Sequence, residues 1–146
     1  MRLNYYVKNW GVLILTIIVN NLASAQDYIQ IKHDGPTDKP ITTLVISKTQ
    51  LGKQDFFLTN VVLSKTDYKL VKKIILHDLP KQRETESYDF GCFSILISHN
   101  NIIDTFYLSE RKVSVAFLQK LSSDIEGHNS LEKLNSNIDT LLKRIS

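Results

Sequence analysis

The residues able to do chemistry in this 146-residue chain are four histidines, one cysteine and fifteen carboxylates, and their spacing limits what they can build. Zinc sites set imidazoles against carboxylates or thiolates at recurring separations such as His-Glu-x-x-His. His33, His77, His99 and His128 follow no such pattern. The neighbours His33-Asp34 and His77-Asp78 invite a metal reading, but adjacent residues of a strand or helix point in different directions and seldom share one ion. A thiol enzyme would need Cys92 beside an imidazole that holds it as thiolate. Set between Gly91 and Phe93, Cys92 reads instead as a small apolar residue of a strand, a buried free thiol, with an intermolecular or reactive site as the alternative. Asp89 and Asp104 border one expected hairpin and come nearest to a carboxylate pair for acid/base work. There is no Gly-x-Ser-x-Gly elbow, and Gly35, Gly52, Gly91 and Gly127 stand alone rather than in a phosphate-binding loop. The sequence therefore predicts no catalytic, cofactor-binding or metal site and favours a role that is not enzymatic.

Compartment is more legible than chemistry. Residues 1–25 carry Arg2 and Lys8, an apolar run from Gly11 to Val19 and the small residues Ala23-Ser24-Ala25, which is the order of a cleavable signal peptide. A spanning helix needs roughly 20 apolar residues, and Asn20 and Asn21 interrupt this run too early for a good anchor. The rival reading is an uncleaved anchor lengthened by Tyr5, Tyr6, Val7 and Trp10, with the domain tethered. Cleavage before Gln26 leaves residues 26–146 as a single small domain, secreted or periplasmic, with no stable membrane span. The Ala25-Gln26 junction and the lack of an Asn-x-Ser/Thr sequon point to a bacterial source.

Two of the eighteen basic residues and none of the acidic ones lie in the first 25, so the remainder carries 16 basic against 15 acidic side chains. Nucleic-acid binders carry a marked basic excess to displace phosphate counterions, and this near balance argues against a nucleic-acid partner. A lone cysteine closes no internal disulfide, so a packed core alone must hold the exported domain.

Alternation over 28–33 predicts a strand, Asp34-Gly35-Pro36 a reversal, and 41–47 and 56–63 two further strands of an antiparallel group. Ser64 and Asp67 have N-capping spacing, and Val71, Ile74 and Ile75, with Asp67 or Tyr68 a turn earlier, repeat at helical period up to Asp78 and Pro80. Residues 81–87 are polar and read as a solvated connector. A strand resumes at Tyr88 and turns at His99-Asn100-Asn101, and Ile102–Leu108 returns. Ser109 is the expected cap of a helix with Val113, Phe117, Leu121 and Ile125 on one side, which ends at Gly127. Asn129 and Glu132 have capping-box spacing for a last helix, whose stripe is Leu131, Leu134, Ile138, Leu141 and Ile145.

This order predicts an α+β fold: an antiparallel sheet covered on one face by helices, built as two hairpin–helix units plus a C-terminal helix. The lysine row Lys65, Lys69, Lys72 and Lys73 reads as a solvated helix face. An exported, non-enzymatic binding or accessory domain of the envelope or extracellular space follows as the expected function. Its protein partner, or a second copy of the chain, would meet it through the C-terminal helix or the open sheet face. The alternative is a small enzyme or ligand-binding protein whose site gathers residues distant in sequence, near Cys92 and the 81–87 loop.

Overall fold

The computed structural model describes residues 27–34, 42–51, 58–80, 92–108 and 110–146. The expected signal peptide, the Asp34-Gly35-Pro36 reversal beyond Asp34, the 81–87 connector, Asp89 and Ser109 lie outside these residues, as does the side chain of Cys92. Five strands, β1 (Tyr28–Asp34), β2 (Thr42–Ser47), β3 (Leu58–Val62), β4 (Cys92–His99) and β5 (Ile102–Leu108), form one mixed sheet in the order β3-β2-β1-β4-β5. Among the described residues, three helices complete an α+β fold: α1 (Lys65–Asp78), α2 (Arg111–Ile125) and α3 (Glu132–Ile145), the last entered through a 3-10 turn over Asn129–Leu131.

The sheet is mostly antiparallel, with one departure from expectation. β1 pairs antiparallel with both β2 and β4, and β4 with β5, but β2 and β3 run parallel. Period-two alternation is the same in either direction, so the residue pattern could not reveal this. Buried Asn60 secures the junction: its Nδ2 donates to the Val45 carbonyl (3.1 Å) and to Ser47 Oγ (2.8 Å), while Oδ1 accepts from the Leu51 amide (2.6 Å). The Leu63 amide adds a 2.8 Å bond to the Ser47 carbonyl.

Register places Ile29 and Ile31 between Ile46 and Leu44 on one flank and Ile97 and Ile95 on the other. These residues are buried and share one core cluster with Val71 and Ile75 of α1, Phe117, Leu118, Leu121 and Ile125 of α2, and Leu134, Ile138, Leu141 and Ile145 of α3. Core formation thus draws on every helix, as expected of amphipathic segments whose stability comes from tertiary packing. The opposite side of the sheet is not uniformly open. Tyr28, Val45, Ser47, Asn60 and Ser98 are buried there, with the small Ser47 and Ser98 flanking Tyr28 in register.

Helix ends show which local signals survive packing. Ser64 caps α1 as expected, its Oγ accepting from the Asp67 amide at 3.2 Å, and Leu79 closes the helix by donating to the Ile75 carbonyl before Pro80. The cap of α2 falls to Glu110, which makes no side-chain capping bond, rather than to Ser109. The Asn129–Glu132 capping box does not form either. Leu131, fully buried, pulls Asn129–Leu131 into the 3-10 turn, and its amide bonds to the His128 carbonyl (2.9 Å). Burying Leu131 outweighs a local cap worth about 1 kcal/mol. Gly127 follows the end of α2, where the sequence pattern placed the helix end, at φ +88°, a left-handed conformation that glycine adopts without strain.

Candidate functional site

Among the described residues, two clusters of charged side chains and one exposed strand stand out as candidate sites. The first cluster lies at the start of β1. Asp27 accepts from the Asn100 amide through Oδ1 (3.2 Å), its Oδ2 is 2.9 Å from His99 Nδ1, and Lys48 Nζ stands 3.9 Å away. Asn100 Nδ2 lies 3.1 Å from His99 Nε2, so a ring with its proton on Nδ1 donates to Asp27 and accepts from Asn100. Both imidazole nitrogens are thereby engaged, which leaves no free base for a serine or thiol. Burial pushes the Asp27 carboxyl up, but the Asn100 amide, His99 and Lys48 together outweigh it and hold the group below 3.8. Lys48 also reaches over the Tyr68 ring, 5.5 Å from its centroid, and burial, helped by the charge of Asp27, drives the Tyr68 hydroxyl far above its ordinary value. This cluster ties the β4–β5 turn to the first residue of the described domain.

The second cluster sits where α1 ends beside α2. Asp78 is buried; its Oδ1 lies 3.1 Å from His77 Nδ1 and 3.5 Å from Lys120 Nζ. Adjacent positions do meet here, contrary to the expectation that His77 and Asp78 diverge, the His77 ring being exposed and the Asp78 carboxylate buried. Burial alone would raise the Asp78 carboxyl, yet hydrogen bonding to Asp124 and His77 and the Lys120 charge hold it below its ordinary value. Asp124 moves the other way, because its hydrogen bond with Asp78 requires a proton. Alongside runs an open cleft of about 410 Å³, with Val113, Ala116 and Phe117 as its apolar part and Asp78, Glu110, Lys112 and Lys120 as its charged part. The described lining residues include no serine, threonine or cysteine. The cleft can hold a small molecule with both apolar and charged groups.

The exposed strand is β5, while Val62 and Leu76 are exposed apolar residues elsewhere. Ile102, Ile103 and Tyr107 are 68%, 42% and 37% exposed, and β5 is the last strand of the sheet. By contrast, the stripe of α3 that could have met a partner is buried within the chain itself.

Individual candidates separate accordingly. His33 is buried and packs against Phe93, ring centroids 6.4 Å apart. His77 joins the Asp78 cluster, His99 joins Asp27, and His128 precedes the 3-10 turn. Asp104 is exposed on β5. No group of three metal-ligating side chains occurs among the described residues, and no described helix is long and apolar enough to cross a membrane. Sequence reasoning missed both carboxylate clusters: Asp27 and His99 are 72 positions apart, and Lys120 and Asp124 reach Asp78 only because α2 packs beside α1. No local spacing signals such contacts. Compared with protein-family models, with curated proteins and with solved structures, the chain shows no match.

Proposed function

We propose that this chain is an exported, non-enzymatic binding domain, released by cleavage after Ala25, that engages a protein through the β5 margin of its sheet. The three helices cover the side of the sheet that bears Ile29, Ile31, Ile95 and Ile97. β4, β5 and α2 form one hairpin–helix unit, and β1, β2 and α1 form a second that β3 extends. The observation that carries the reading is the exposure of Ile102, Ile103 and Tyr107 on the terminal strand. Terminal strands of soluble proteins are usually blunted by lysine, proline or a bulge, and a run of exposed apolar residues there fits a contact surface. The Asp27 cluster supports the same reading, because it fixes the turn that presents β5.

The test is crosslinking and pull-down of the C-terminally tagged precursor from its native host, alongside Tyr107→Lys. A stoichiometric protein captured by the wild type and lost with the variant is expected, and the recovered chain should have the intact mass of one beginning near Gln26. A full-length product held in the membrane removes the export reading; equal capture by the variant removes the β5 surface. A second reading, ligand binding, is favoured by the cleft beside Asp78 and Lys120. It predicts that a small molecule, not a protein, co-purifies and is lost on Lys120→Ala.

A further inference from the structure

We infer that the partner at β5 is a second copy of this chain, joined by antiparallel strand addition about a two-fold axis at Thr105 to make one ten-stranded sheet; this rests on the β5 reading above. The hairpin geometry determines which backbone groups are on offer. Asn100 and Asn101 both have positive φ (49° and 64°), the type I′ signature of a two-residue loop, so His99 and Ile102 form the first hydrogen-bonded pair of the ladder. Antiparallel pairs alternate from there. Ile102, Asp104, Phe106 and Leu108 therefore direct their amides and carbonyls to β4, while Ile103, Thr105 and Tyr107 direct theirs outward.

Only some registers between two such edges pair outward residues with outward residues. Setting Thr105 opposite its own copy pairs Ile103 with the second copy's Tyr107 and Tyr107 with its Ile103, and engages all three outward positions in about six hydrogen bonds. A shift of the axis to Asp104 engages fewer and places two carboxylates directly opposite each other, which is destabilising. The Thr105 register instead makes two cross-strand contacts between a β-branched residue and an aromatic ring and pairs two threonines, which are favourable combinations, and it sets each Asp104 opposite Phe106 rather than opposite another carboxylate.

Apart from the charge of Asp104, β5 lacks the usual devices against such pairing. The strand, Ile-Ile-Asp-Thr-Phe-Tyr-Leu, contains no lysine or proline, and its register with β4 runs from Ile102 to Leu108 without a bulge. A chain with 16 basic and 15 acidic residues after Ala25 repels a second copy only weakly. A single strand pair buries less than a standard interface of roughly 1,600 Å², so the dimer is expected to dissociate in the micromolar range.

Sedimentation equilibrium of the protein purified from cells expressing the full-length sequence should show a monomer–dimer equilibrium. The double variant Ile103→Lys/Tyr107→Lys, which opposes two lysines at each pair, should weaken it by ~10-fold or more, and Ile103→Lys/Tyr107→Glu should restore it by pairing opposite charges. Crosslinking reads the register without disturbing charge. In a Cys92→Ser background, Thr105→Cys should form an intermolecular disulfide, because hydrogen-bonded partners lie about 5.5 Å apart between Cα atoms. Ile103→Cys should not, its copies being displaced by roughly 14 Å along the strands. A monomer at all concentrations, a dimer indifferent to the lysines, or Ile103→Cys oxidising as readily as Thr105→Cys overturns the inference. If the chain is monomeric yet captures a foreign protein through Tyr107, the binding reading survives and the dimer alone falls.

Discussion

Helix α3 and strand β5 are both rich in apolar residues, but the chain treats them in opposite ways. Leu134, Ile138, Leu141 and Ile145 of α3 lie within the core beside Leu121 and Ile125 of α2. Ile102, Ile103 and Tyr107 of β5 stay at the sheet margin, and only Leu108 of that strand is buried. The difference comes from position in the sheet order, not from residue type. An amphipathic helix joined by a short turn to its neighbour can fold back and spend its stripe internally. A terminal strand has a neighbour on one side only, and its side chains project from the two faces of the sheet at the place where cover is least. An apolar pattern in sequence therefore predicts burial within the chain only when the topology supplies a second layer over it.

The largest effect that could break this contrast is expected in α3. Ile138→Ala removes a fully buried side chain from the cluster and should cost about 2–5 kcal/mol of unfolding free energy in urea titration; a loss under ~0.5 kcal/mol, the range of surface substitutions, would mean that the stripe is not spent internally. Next comes the turn that lets α3 fold back. Gly127→Ala should cost about 1 kcal/mol through backbone strain at positive φ, because no atom lies within 4 Å of the added methyl. A neutral result would show that the α2–α3 connection tolerates another conformation.

Smaller and pH-dependent is the contribution of Asp27, which fixes the β4–β5 turn and hence β5 itself. Its carboxyl is held below 3.8 in the folded chain, so its stabilisation is complete above that value and fades as pH falls through the lower folded value. Asp27→Asn should be less stable than wild type at pH 7, and the gap should narrow in thermal melts once the pH drops below 3.8. A gap that stays constant into acid would detach the turn from this carboxylate. The smallest expected effect on stability is that of Tyr107→Lys. At this exposed strand position the unfolding free energy should shift by no more than about 0.5 kcal/mol, while association is weakened. Destabilisation comparable to Ile138→Ala would reclassify β5 as core.

Much of the scaffold was legible because local physics recorded it. The strands around Ile29 and Ile95, the Ser64 cap, the asparagine turn and the glycine after α2 each follow from periodicity or backbone permissiveness. What failed locally failed for a tertiary reason. Leu131 chose the core over a capping box, and β3 chose a parallel neighbour that alternation cannot specify. The candidate sites were the least legible part. His77 and Asp78 were visible as neighbours, but Lys120 and Asp124 join them only through helix packing, and Asp27 meets His99 only because β1 pairs with β4.

The amino-acid sequence by itself determined the class of the fold, the period and most boundaries of its elements, the near-neutral charge of the chain after Ala25, and the lack of any recognised metal or nucleotide motif. These are properties of composition and of neighbours within a few positions, where sterics and side-chain chemistry act directly. Only the tertiary structure decided strand order, the direction of β3, the two carboxylate clusters and which apolar residues remain outside. Those depend on contacts between segments tens of residues apart, and the free energy that selects them belongs to the packed core as a whole.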